Sequence, residues 1–86
     1  MILQDILYKV SIRVVKGNTN TVINGLEIDS RKVTSGSCFI AVKGYAVDGH
    51  QFIETAVANG AAAIVCETMP QSINENVTYI DRKSVV

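Results

Sequence analysis

The spacing of apolar residues changes several times along the chain, and each change marks an element. In ILQDILYKV the residues Ile2, Leu3, Ile6, Leu7 and Val10 recur at helical spacing, which predicts a short amphipathic helix. IRVV then reads as a strand, closed by KGNTN, where Gly17 and its asparagines carry turn chemistry. TVINGLEI predicts a second strand with a bend or bulge at Asn24–Gly25, the alternative being a tight hairpin at that pair. SCFIAVKG is a nearly unbroken apolar run, the pattern of a strand covered on both faces. HQFIETAVANG is the clearest helix. Asp48 can cap it, Gln51 can reach back to the cap's amide, and Gly60 can stop it in the left-handed conformation. Its apolar stripe is Phe52, Ile53, Ala56 and Val57. AAAIVC follows at once as a small-residue strand, giving a strand–helix–strand unit that is most simply parallel and right-handed. After the polar ETMPQSINEN, VTYID predicts a last strand, and the two valines of RKSVV look like the start of another element.

These patterns together predict an α/β chain: a single domain over residues 1–86, built as a small mixed β-sheet with flanking helices. The open apolar end leads us to expect a piece of a longer polypeptide. A chain of this size buries only about 60–65 % of its unfolded surface, so its stability margin is thin. Hydrophobic residues make up 48 % and charged residues 19 %, a globular balance. Eight Lys and Arg offset eight Asp and Glu. With no net charge there is no general field to draw nucleic acid or an anionic membrane, and neither is expected as a partner. Cys38 and Cys66 both sit in apolar runs and read as buried, reduced thiols. The N-terminus lacks signal-peptide features, and the longest uncharged apolar stretch is too short for a bilayer, so a cytoplasmic location is expected.

The candidate chemistry is sparse. Ser30, His50 and several carboxylates are present, yet none lies in a nucleophile-elbow context, and His50 in a first helical turn suits packing or a surface hydrogen bond. One histidine and two separated cysteines make no metal-ligand set, and neither TSGS nor KGYAVDG is a phosphate loop with Gly-Lys-Ser/Thr. A basic patch of Lys9, Arg13 and Lys16 reads as an ordinary solvated face. Two loops remain, DSRK and KGYAVDGH, each leaving an apolar strand. Adjacent strands would place them in one crevice beyond the strand ends, where α/β sheets bind ligands. There Ser30 offers a hydroxyl, and Arg31 can fork onto a phosphate or onto Asp29 or Asp48. Tyr45 can stack on a flat ring whose edge the backbone of Ala46 and Val47 reads. The plainer alternative is that Asp29 and Arg31 pin a turn and Tyr45 is a surface aromatic.

GLEIDSRKVTSGSCFIAVKGYAVDGHQFIETAVANGAAAIVCE resembles the N-terminal domain of the Mur ligases, most closely the MurE type. The shared pattern is a strand into Asp-Ser-Arg, a Val-x-x-Gly turn, a Phe-x-Ala strand, Asp-Gly-His before a Phe, and an Ala-rich helix into Gly-Ala and a strand. The resemblance runs from about residue 25 to 67, and the sister MurF type usually has Thr where Ser30 stands. It implies a domain that holds the uridine diphosphate end of UDP-N-acetylmuramoyl-L-Ala-D-Glu, in an ATP-dependent amide ligase of peptidoglycan synthesis that adds meso-diaminopimelate or L-lysine. By the same resemblance Ser30 and Ile28 touch the nucleotide, Tyr45, Ala46 and Val47 hold the uracil, and Asp29 and Arg31 order the turn. ATP and magnesium belong to a central domain and amino-acid choice to a C-terminal one, both partners of this domain. The glycine-rich Gly-Lys-Thr loop, magnesium ligands and modified lysine of the family do not occur in these residues, so no catalytic or metal-binding residue is assigned and the chain alone is expected to be inactive. A MurF-type domain, or a stand-alone module binding a nucleotide or protein, is the alternative.

Overall fold

The computed structural model describes residues 2–7, 12–43 and 48–82. In chain order the elements are helix α1 (Leu3–Ile6), strand β1 (Ile12–Lys16), strand β2 (Gly25–Glu27), a 3₁₀ turn (Ser30–Lys32), strand β3 (Ser37–Ile40), a second 3₁₀ turn (Gly49–Phe52), helix α2 (Ile53–Ala58), strand β4 (Ala63–Cys66) and strand β5 (Thr78–Arg82). The strands form one mixed sheet in the order β1-β5-β4-β3-β2. β2, β3, β4 and β5 are parallel neighbours, and β1 pairs antiparallel with β5 at the edge.

Burial explains which strand takes which place. Every residue of β4 is buried, as are Ser37, Cys38 and Phe39 of β3, so these apolar runs occupy the centre with both faces covered. Alternation then sorts their side chains into two cores. Phe39, Ile64, Cys66 and Tyr79 face one way, against Ile53 and Ala56 of α2. Cys38, Ala63, Val65 and Ile80 face the other, against Leu3, Leu7 and Ile23. The two cysteines therefore lie in different cores, both buried and unbridged.

A single helical turn such as α1 is not stable alone. It persists because Leu3 and Gln4, whose amides have no partner within the helix, donate at 2.9 Å to the carbonyls of Thr21 and Thr19. Val10, the expected last member of its stripe, lies outside the described residues, as do Tyr8, Lys9 and 83–86. The hairpin alternative at Asn24–Gly25 does not form. Asn24 instead fastens to the following turn, its amide donating to Gly36 O and its side chain to Ser35 O, each at 2.8 Å, and Gly25 enters the parallel pairing with Ser37. Gly60 stops α2 at φ 105°, as its position implies, while the backbone of Ser35 approaches closely enough to exclude a Cβ.

Candidate functional site

Because β2 and β3 are adjacent and parallel, the segments leaving their C-terminal ends emerge together. Between them lies an open groove of about 660 Å³, lined by Ile28, Asp29, Ser30 and Arg31 after β2, Val42 after β3, Gly49 and Phe52 in the second 3₁₀ turn, and Thr55 in α2. This is the crevice that adjacency of the two strands leads one to expect.

The first wall is built by DSR. Asp29 caps the Ser30–Lys32 turn, its Oδ1 accepting from the Arg31 amide at 2.9 Å. The same carboxylate takes both prongs of the Arg31 fork, from Nε at 3.0 Å and Nη2 at 2.9 Å. That side-chain hydrogen bond, together with the backbone one, holds the Asp29 carboxyl down at about 2. The Arg31 guanidinium is raised by the same pairing. Arg31 is thus committed to Asp29, not to Asp48, and its side chain is 86 % exposed. Ser30 sits inside this brace at 6 % exposure. Its carbonyl accepts from Asn59 Nδ2 at 3.0 Å and from the Val33 amide at 3.3 Å, while its hydroxyl makes no hydrogen bond to another described residue. Around that polar point Ile28, Val42 and Phe52 present exposed apolar surface.

The second wall rests on glycine. The Gly49 amide donates to Val42 O at 2.7 Å, and a Cβ on Gly49 would stand 2.7 Å from Val42 N. Only a residue without a side chain lets the turn lie this close to the strand end. Asp48 caps that turn, accepting at Oδ1 from the His50 amide at 3.0 Å and meeting His50 Nδ1 at 2.6 Å. Those two bonds hold the Asp48 carboxyl below the usual carboxylate range. Nε2 of the ring accepts from the amides of Glu67 at 3.0 Å and Thr68 at 3.3 Å.

The structure places Ile28, Asp29, Ser30 and Arg31 together, whereas Tyr45, Ala46 and Val47 lie outside the described residues. Two expectations need correction. Gln51 makes no return hydrogen bond to the cap, because the helix opens as a 3₁₀ turn in which Asp48 is satisfied by His50. Phe52 does not join the buried stripe. The tighter 3₁₀ winding swings it 38 % exposed onto the groove, leaving Ile53 and Ala56 to fill the core. Val42, Thr55 and Asn59 carried no sequence signal for this site; the roles of Thr55 and Asn59 depend on where α2 docks. Among the described residues no group of three or more His, Cys, Asp and Glu could hold a metal ion, and no helix is long and apolar enough to cross a membrane.

Residues 22–85 match the profile described as "Mur ligase family, catalytic domain". The chain belongs to the Mur ligase family. Relatives in that family include the UDP-N-acetylmuramoyl-L-alanyl-D-glutamate--2,6-diaminopimelate ligases of Bacteroides fragilis, 45% identical over 80 residues, and Phocaeicola vulgatus, 40% identical over 80 residues. Each alignment covers 93% of this chain but 16% of the relative, so the chain spans about a sixth of these Mur ligases. Among solved structures, MurF of Acinetobacter baumannii superposes with a TM-score of 0.60 at 31% identity, over 67% of this chain and 12% of that one. MurF ligase of Thermotoga maritima in complex with ADP gives a TM-score of 0.58 at 36% identity, over 65% and 13% of the two chains. The mixed sheet with its flanking helices is thus a Mur ligase fold element.

Proposed function

We propose that this chain is the N-terminal, substrate-anchoring domain of a MurE-type ligase, and that its groove holds the uridine diphosphate end of UDP-N-acetylmuramoyl-L-alanyl-D-glutamate. One observation carries the reading: the Ser30 hydroxyl, set in a braced turn, opens without a protein partner among the described residues onto a groove where Ile28, Val42 and Phe52 present apolar surface. A polar point beside such apolar surface suits a flat, partly polar ring. Ile28 contributes apolar contact beside Ser30, and Tyr45, Ala46 and Val47 complete the uracil end. Arg31, held by Asp29, orders the turn and leaves phosphate recognition to other groups. The names of the diaminopimelate ligases among its relatives support diaminopimelate as the added amino acid of the whole enzyme.

The residues present do not fit ATP and magnesium: the sequence holds no Gly-Lys-Ser/Thr loop. In this reading those ligands belong to the central domain of a cytoplasmic enzyme, and a C-terminal domain selects the amino acid. This chain contributes remote binding energy that positions the reacting carboxylate elsewhere. The likeness to MurF structures favours, as a second reading, anchoring of the same nucleotide end in a ligase that takes a longer muramoyl peptide.

A titration of the ¹⁵N-labelled chain with uridine diphosphate, and separately with adenosine diphosphate, tests the assignment. Uridine diphosphate is expected to move the amides of Ile28, Ser30 and Thr55, and Ser30→Ala to weaken it about three- to tenfold, the loss of one hydrogen bond. Equal response to both nucleotides, or an unchanged affinity in Ser30→Ala, would leave a module of other specificity.

A further inference from the structure

His50 is not among the groove-lining residues, yet both nitrogens of its ring are engaged and its side chain is only 16 % exposed. Nε2 receives two backbone N–H groups, so it carries no proton. The ring proton is therefore on Nδ1, donated to Asp48 Oδ1. Neutral in this form, the ring joins two elements that the sheet alone does not connect. On one side is the Gly49–Phe52 turn, whose first and last residues line the groove. On the other is the chain leaving β4, where Glu67 and Thr68 present amides with no strand to receive them. Further ties confirm that the junction is a built one. Ala41 donates to Val65 O at 2.8 Å, Gly49 donates to Val42 O at 2.7 Å, and Lys43 forms an antiparallel bridge with Asp48. Glu67, whose amide is used here, reaches Arg82 with its carboxylate at 3.6 Å.

We propose that His50 is a positioning residue for the groove: its acceptor nitrogen clasps the Gly49–Phe52 turn to the end of β4 and so fixes the wall against which ligand binds. The assignment rests on the nucleotide-anchoring reading for its ligand but not for its geometry. Without the ring, the turn keeps its Asp48 cap and its Gly49 bond but loses the anchor to β4. Phe52 and Thr55 then sample positions that a ligand has to pay for in ordering.

Two substitutions separate the two ends of the ring. The oxygen of glutamine reaches approximately the place of Nε2, so His50→Gln keeps an acceptor for Glu67 and Thr68. Asparagine is short, so His50→Asn keeps a donor to Asp48 and gives up the clasp. In the 86-residue chain, uridine diphosphate affinity is expected to fall about five- to tenfold in His50→Asn and to stay within about twofold in His50→Gln. The amide resonances of Ser30 and Thr55 shift in the first variant and hold in the second. In the wild-type chain, saturating uridine diphosphate slows hydrogen exchange at the Glu67 and Thr68 amides, because coupling between sites is reciprocal. A role confined to stability would lower the unfolding midpoint without this split. Equal affinity in His50→Asn and wild type, equal damage in both variants, or unchanged exchange at Glu67 and Thr68 overturns the proposal. If wild type binds no uridine diphosphate, the anchoring reading falls, and the Ser30 and Thr55 resonances alone decide the clasp by the same comparison.

Discussion

Asp29 engages one guanidinium with both of its carboxylate oxygens, and that pairing is the chief reason its carboxyl is held at about 2 rather than 3.8. A depressed carboxyl adds stability that is complete above its unfolded value and lost as pH falls through its folded one. The brace at the groove therefore survives mild acid and opens only as pH approaches about 2. Arg31→Ala should let the Asp29 carboxyl rise toward its ordinary value, although the Arg31 backbone amide still restrains it, and a ¹³C carboxyl titration reads this directly. No rise in that variant would mean that the backbone amide alone sets the ionisation. The Asp29–Arg31 pair was legible because an acid and a guanidinium two positions apart at a strand end can meet locally. The roles of His50 and Asn59 were not legible. Their partners, the amides of Glu67 and Thr68 and the carbonyl of Ser30, are distant in sequence and come within reach only after α2 docks.

Among elements, the junction between β3 and α2 leaves little room. Gly49 has the backbone of Val42 and Ala41 where a Cβ would stand, whereas Gly25 has nothing within 4 Å. Gly49→Ala is expected to cost about 1–3 kcal/mol, since strand or turn must move, and Gly25→Ala to stay within about 0.5 kcal/mol. Urea denaturation of both variants checks the contrast, and equal midpoints would show that the junction yields freely. The same region shows how far periodicity reads. The central strands were plain from their apolar runs, because burial on both faces demands such runs, and α2 was plain from the apolar stripe along one side. The 3₁₀ start of α2 was not, since i+3 and i+4 spacing look alike over one turn. The absence of a hairpin at Asn24–Gly25 was likewise hidden, being decided by the bonds from Asn24 to Ser35 and Gly36.

For the whole molecule, the two cores on opposite faces set its chemical resistance. Burial pushes the thiols of Cys38 and Cys66 up to about 11, with Asp81 adding to the effect at Cys66. The native chain should therefore resist thiol-specific alkylation near neutral pH and take up two labels on unfolding in urea. Fast labelling of native protein would show that one core opens readily. The sheet order has another consequence. Among the described strands β1 pairs only with β5, with Ile12 opposite Arg82 and Lys16 opposite Tyr79, whereas β2, β3 and β4 find neighbours nearer in the chain. During synthesis β1 leaves the ribosome about sixty residues before β5. Ile12, Val14 and Val15, still about two-fifths exposed in the finished fold, wait in the nascent chain until residues 78–82 emerge. Of the described strands, β1 waits for its partner across the longest stretch of chain.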